Sequence, residues 1–199
     1  MDIKFQYNKT ALQELNKQLK VRLRALPTLK NKESALRMEV KKARDKAAEL
    51  EHKVEERTHE LNRFMRFWQE FDPSLITVRE VEIITRKIAG VKIPVMGKIE
   101  YDLKPFFMFH APDWYLDGIS MLKSVSQLRI ERQFFLRKMH ILESIRKKTT
   151  QKVNLYEKVQ IPAFEDAIRK IKRFMEDEEN LSKSGQKILK TRMENEAAL

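Results

Sequence analysis

Four histidines and several neighbouring carboxylates are the residues of this chain whose types could do chemistry, so their spacing is weighed first. His52 and His59 stand seven apart, two turns along one helix face, too far to share a ligand. His110 and His140 have no companion nearby in sequence. Glu55 with Glu56, and the run Glu176 to Glu179, could serve as acid–base pairs. Both lie on helical stretches whose opposite face is apolar, which makes them a solvated charged surface. The sequence holds no Gly-rich phosphate loop, no His-Glu-x-x-His pair and no nucleophile elbow. It holds no cysteine either, which removes the thiolate nucleophile, the disulfide scaffold and any cysteine-ligated metal, and fits a reducing compartment. We therefore expect a chain that is not catalytic alone, with no cofactor and no metal.

The elements that would carry these residues are long. Only four of 199 residues are glycine, against an average of about 7%, and 35% are charged, with a mean hydropathy of −0.58. Read in alternate steps of three and four, one register runs Phe5, Leu12, Leu15, Leu19, Leu26, Leu29, Leu36, Val40, Ala43, Ala47, Leu50, Val54, Leu61, Phe64, Trp68 and Phe71. A 3.5-residue period held this long is that of a coiled coil. Asn8, Arg22, Glu33 and Arg57 are the polar residues on the seam, and Pro27 predicts a kink without an end. The C-terminal flank repeats the habit through Met121, Val125, Leu128, Phe135, Met139 and Leu142, then through Ile161, Phe164, Ile168, Ile171 and Met175. These two runs are out of phase, so the seam must change face between residues 146 and 161, as at a stutter. Pro162 sits where the second run begins.

Residues 72–118 follow other rules, holding four of the six prolines and three of the four glycines. β-Branched residues around Ala89-Gly90 predict a hairpin of short strands near 77–101, with Pro94 confined to an edge or bulge. After it, Phe106, Phe107, Phe109, Trp114 and Tyr115 crowd one short segment. So small a head has limited room for five large rings, which makes some of them candidates for contact with another subunit. Two comparable helices joined by this insert pair within one chain only by folding back. The expected fold is mainly α: an antiparallel two-helix coiled coil, residues 1–71 and 119–199, with a head at 72–118 containing a β-hairpin and an aromatic loop.

The net charge of +12 belongs to the flanks, +6 over residues 1–71 and +7 over 119–199, against −1 for the head. Bases and acids alternate along each helix, and aromatics are not interleaved with the basic clusters, so nucleic-acid binding is not expected. No stretch approaches the roughly 18 apolar residues that span a bilayer, and the N-terminus lacks the apolar core of a signal peptide. A cytosolic protein without direct membrane insertion is expected.

The stretch VNLYEKVQIPAFEDAIRKI, residues 153–171, resembles the C-terminal signature of the D subunit of the V-type and archaeal-type rotary ATPases. Val153, Asn154, Glu157, Val159, Ile161, Pro162, Glu165, Ile168 and Ile171 fit that pattern, while Ala163 and Ala167 stand where arginine and threonine are usual. IAGVKIPV, Ile88 to Val95, resembles the family's central hairpin, and LKNKESAL, Leu29 to Leu36, its first-helix motif with glutamate in place of arginine. The resemblance implies a central rotor shaft, peripheral to the membrane. Its partners would be the catalytic and regulatory (A- and B-type) subunits of a hexamer, the small F subunit of the central stalk, and a membrane-side socket protein of C or d type. It implies that ATP is bound elsewhere, that the aromatics at 106–115 seat in the socket, and that the hairpin around Val91, Ile93 and Pro94 tunes hydrolysis. Two other readings remain beside it: a prefoldin-like chaperone, which also joins coiled-coil helices through hairpins, and a basic nucleic-acid-binding arm.

Overall fold

The computed structural model describes residues 3–63, 72–105, 112 and 114–196. In order, these form helix α1 (Lys9–Arg63), a 3₁₀ turn (Pro73–Leu75), strands β1 (Ile76–Ile88) and β2 (Val91–Leu103), helix α2 (Tyr115–Asn154), a π-helical turn (Leu155–Gln160) and helix α3 (Ile161–Glu196). The fold is mainly helical, with two long helical segments and an antiparallel two-stranded hairpin between them. The seam positions Phe64, Trp68 and Phe71 lie outside the described residues, as do Phe106, Phe107, Phe109 and His110.

The chain divides into two compact units, Met1–Asn31 with Thr149–Leu199, and Lys32–Lys148. In the first, Asn8 caps α1: its Oδ1 accepts the Ala11 N–H at 2.7 Å, and its carbonyl accepts that of Leu12 at 3.1 Å. That satisfies donors the first turn leaves orphaned, so this polar residue on the expected seam is a helix start. The helix continues through Pro27. Leu15 is buried with Phe164, Ala167, Ile168 and Ile171, with Leu12, Leu19 and Met175 packed around them.

The change of phase in the C-terminal flank has a structural cause. Thr149 and Val153 are buried, and a 3.5-residue repeat continued from them would bury 156, 160, 163, 167 and 170. Ile161, Phe164, Ile168 and Ile171 are buried, each one position later than that repeat places them, with Ala167 buried beside Ile168. The π turn supplies the extra residue: the Ile161 N–H reaches back to the Tyr156 carbonyl, five residues away. Pro162 follows directly, where its missing N–H and its ring fall on a ladder already widened. The shift is thus a one-residue π turn rather than the four-residue insertion of a stutter.

In the second unit the helices run antiparallel. Glu33 meets Arg146 (3.9 Å), Glu39 meets Lys138 (3.3 Å) and Glu51 pairs with Arg132, so α2 numbers fall as α1 numbers rise. Leu36 and Val40 of α1 and Leu142 of α2 are buried together with Val91 and Ile93 of β2. Ala43, Ala47, Leu50 and Val54 continue the buried stripe on α1, and Leu61 is half-buried.

The hairpin is longer than short strands would make it, thirteen residues a side, in register from Ile76 opposite Leu103 to Ile88 opposite Val91. Ala89 and Gly90 form its two-residue turn with φ of +48° and +78°. Positive φ at both central residues is the turn geometry that matches strand twist. Register shifts fall between Val78 and Glu80 and between Val81 and Ile83. At the second, Gly97 leaves room for Glu82, whose side chain accepts the Lys98 N–H at 3.1 Å. In a two-stranded sheet each strand is an edge, so Pro94, opposite Thr85, interrupts no central ladder.

Candidate functional site: the hairpin and its helix

β2 is the inner strand and β1 the outer. Val91 and Ile93 are buried against Leu36, Val40 and Leu142, whereas Val78, Ile83 and Ile84 of β1 are exposed. Pro94 is half-buried beside Phe134 of α2. Both residues line two clefts. One, of about 280 Å³, is lined by apolar residues including Ile88, Val95, Met96 and Phe135; the other, of about 380 Å³, by Ile83, Phe134 and Ile141 among others. Arg86 and Lys138 border the first, Lys92 and Arg137 the second.

The lower end of the hairpin is latched. Tyr101 Oη lies 3.0 Å from Ser126 Oγ and 3.2 Å from the Lys123 carbonyl, both on α2. The Lys104 N–H donates to the Leu75 carbonyl at 3.0 Å. Asp72 caps the 3₁₀ turn, accepting the Ser74 N–H at 2.8 Å and the Ser74 hydroxyl at 2.9 Å; these bonds hold its carboxyl below the usual carboxylate range. Trp114 and Tyr115, ring centroids 5.0 Å apart at 62°, are half-buried and pack with Leu75 and Ile119. Of the five aromatics singled out in the sequence, these two contribute to a local core. Phe106, Phe107 and Phe109 lie outside the described residues.

The histidines come together less than a catalytic site would need. His52 and His59 line a broad crevice of about 1020 Å³ with Glu55, Glu56, Arg57 and Glu60 of α1 and Ser124, Gln127 and Leu128 of α2. His52 Nδ1 lies 3.3 Å from Glu56, and His140 is exposed. Among the described residues no group of three potential ligands could hold a metal ion. The most perturbed carboxylate is surface chemistry: hydrogen bonds from Lys46 (2.8 Å) and Lys53 (2.6 Å) lower Glu49 to about 2.

Sequence reasoning did not single out Tyr101 or Phe134. Phe134 stands beside the seam residue Phe135, and adjacent helical residues face different directions, so a Phe-Phe pair already signals that a second surface needs filling. Tyr101 left no comparable signal, because its partners are fixed by how the hairpin lies on α2.

This arrangement is two antiparallel helices with a hairpin docked on them. The sequence profile of the ATP synthase D subunit matches residues 11–191. The chain belongs to that family. A relative from Borreliella burgdorferi, described as the D subunit of a V-type ATP synthase, is 30% identical over 190 residues, covering 94% of each chain. Proteins of the same description from Chlamydia pneumoniae and Chlamydia muridarum are 27% identical over 172 residues and 26% over 157. They cover 82% and 76% of this chain and 81% and 77% of their own lengths. No helix of the described residues in this family member is long and apolar enough to cross a membrane.

Proposed function

We propose that this chain is the non-catalytic central shaft of a V/A-type rotary ATPase or ATP synthase, carrying torque between the ATP-handling hexamer and the membrane ion-translocating ring. The observation that carries the reading is the seam. In each unit α1 is packed along the C-terminal helical segment by buried apolar residues, and the π turn keeps the stripe facing its partner where the repeat slips. A helix pair held this way resists relative rotation, because turning one helix would expose Leu36, Leu142 or Ile171 to water at roughly 1.5–3 kcal/mol each.

The outer surface suits a rotor. Its ion pairs, such as Lys46–Glu49, Lys170–Asp166 and Lys183–Glu179, are exposed, and such pairs contribute only about 0–1 kcal/mol each. Contacts of that strength exchange as the shaft passes successive members of the hexamer. The A- and B-type subunits, the small F subunit and a membrane-side C- or d-type socket are the partners in this reading, with ATP bound by the hexamer. Phe106, Phe107 and Phe109, with Trp114 and Tyr115, seat in the socket. The hairpin of Val91, Ile93 and Pro94 tunes hydrolysis by presenting β1 outward.

Co-expression of a tagged chain with the other components of the complex tests the proposal. One copy per three catalytic subunits, with altered ATP turnover, supports it; a chain that stays alone or binds unfolded clients overturns it. Replacing Ile83 and Ile84 by serine tests the hairpin without emptying the Val91–Ile93 core. An unchanged ATPase rate in the assembled complex would sink that role.

A further inference from the structure

From Asn16 to Asn31 of α1 no residue is buried, and none is buried from Asn154 to Gln160 on the other helical segment of the same unit. Beyond Leu19, which packs against the Leu15–Phe164 core, Leu26 and Leu29 are only half-buried, and polar groups join the segments. Arg22 Nε donates to Gln160 Oε1 at 2.8 Å, with its guanidinium 4.3 Å from the Phe164 ring centroid. Lys30 Nζ donates to Glu157 Oε1 at 2.6 Å. The two contacts lie on either side of Pro27 in α1 and fall on the π turn of the other segment.

Both backbone ladders are therefore interrupted at one level. Pro27 offers no N–H to the Leu23 carbonyl, and Pro162 none to that of Lys158. Between Gln160 and Leu155 the hydrogen bonding is π-helical. Bending or twisting a helix stretches its hydrogen bonds and disturbs its packing, and kinks concentrate at prolines and π turns. Here hydrogen bonds are missing on both helices and no apolar side chain is fully buried. Lys30 and Glu157 are 48% and 43% exposed, so the pair can part and re-form with little loss.

We propose that Arg22–Lys30 together with Leu155–Pro162 form a compliant joint built into the helix pair, which deforms locally while the Leu15–Phe164–Ile171 seam of the same unit stays packed. The joint itself follows from backbone and packing alone. Its use, absorbing angular strain under torque, rests on the rotor-shaft reading.

Hydrogen exchange on the full chain, resolved by segment, tests it. Amides of 23–31 and 155–161 should exchange at least about tenfold faster than those of 164–171, since local opening follows the least-packed segments. Pro27→Ala restores a backbone donor and should slow exchange over 24–31 severalfold while leaving 164–171 unchanged. Deletion of Lys158 combined with Pro162→Ala lets a continuous α-helix keep the seam in phase and should raise protection of 155–161 to that of 164–171. Equal protection of the joint and the seam in the unaltered chain overturns the proposal. So does a failure of both variants to slow exchange. Because these readouts need no partner, they can fail while co-assembly with the hexamer succeeds, and the reverse.

Discussion

Replacing Ile93 by alanine should undock the hairpin, and the size of the effect follows from its surroundings. Ile93 is 1% exposed and packed among Leu36, Val40, Val91 and Leu142. The substitution removes three carbons, worth about 0.8 kcal/mol each in transfer, and leaves a cavity between a strand and two helices that cannot all close on it, for a total of about 3–4 kcal/mol. Ile83→Ala on the exposed face of β1, where the side chain is 62% exposed, should cost less than about 0.5 kcal/mol. Limited trypsin digestion of the full chain reads the difference, because Arg86, Lys87 and Lys92 are exposed sites held in the strands by that core. When opening is fast relative to cleavage, the rate tracks the open population, so about 3 kcal/mol corresponds to roughly a hundredfold faster cutting. Cutting of Ile93→Ala within twofold of the unaltered chain, or equal to that of Ile83→Ala, would refute the reasoning.

Arg57→Leu should leave the melting temperature unchanged or slightly raised. Arg57 occupies a seam register position, but its side chain is 55% exposed and paired at 2.7 Å with Glu60 of its own helix, so no buried polar contact is lost; a marked fall would show that it fixes the register. Glu49 predicts an acid limb: with its folded pKa lowered to about 2 from 4.5, its pairing with Lys46 and Lys53 stabilises the fold above the unfolded value and is lost as pH falls through about 2. The melting-temperature gap between the unaltered chain and Glu49→Gln should be open at neutral pH, close between about pH 4.5 and 2, and shrink at high salt because the group lies exposed at the surface.

The helices were legible because burial recurs at fixed spacing: Leu15, Leu36, Val40, Leu50 and Val54 could be placed on one stripe before any contact was known. The hairpin turn was legible for a related reason, since Ala89-Gly90 interrupts a β-branched run. What stayed hidden depends on how elements lie on one another. Both strands carry apolar residues, so nothing local says that Ile93 is buried and Ile83 exposed; that is decided by which strand faces Leu142. The pairs Glu39–Lys138 and Glu51–Arg132 cannot be chosen from 29 acids and 41 bases without the antiparallel stagger. The phase slip was visible as a mismatch of two runs, yet its realisation as a π turn is a matter of hydrogen bonds that the pattern does not contain. The family was read from three separated motifs, which periodicity alone would not have supplied.

The last stretch of α3 poses a problem that the chain alone does not solve. From Glu176 to Asn195 every residue is exposed, Leu181, Ile188, Leu189 and Met193 among them. An isolated helix of about this length is marginal in water, and Gly185 in its middle costs about 1 kcal/mol relative to alanine. Against that stand pairs such as Lys183–Glu179 at 2.7 Å, which also lowers the Glu179 pKa, and Lys190–Glu194 at 3.8 Å, worth a few tenths of a kcal/mol each. The balance is near zero, so a stable helix here requires a surface that covers Leu181 and Ile188. In the rotor-shaft reading the hexamer supplies it. Amides of 176–195 should then exchange almost freely in the isolated chain and become at least about a hundredfold slower in the assembled complex. Gly185→Ala should raise helicity of the isolated chain by strengthening the same segment without a partner. Protection already present in the isolated chain would show that the local pairs suffice. Rapid exchange that persists in the complex would show that the hexamer does not hold this end.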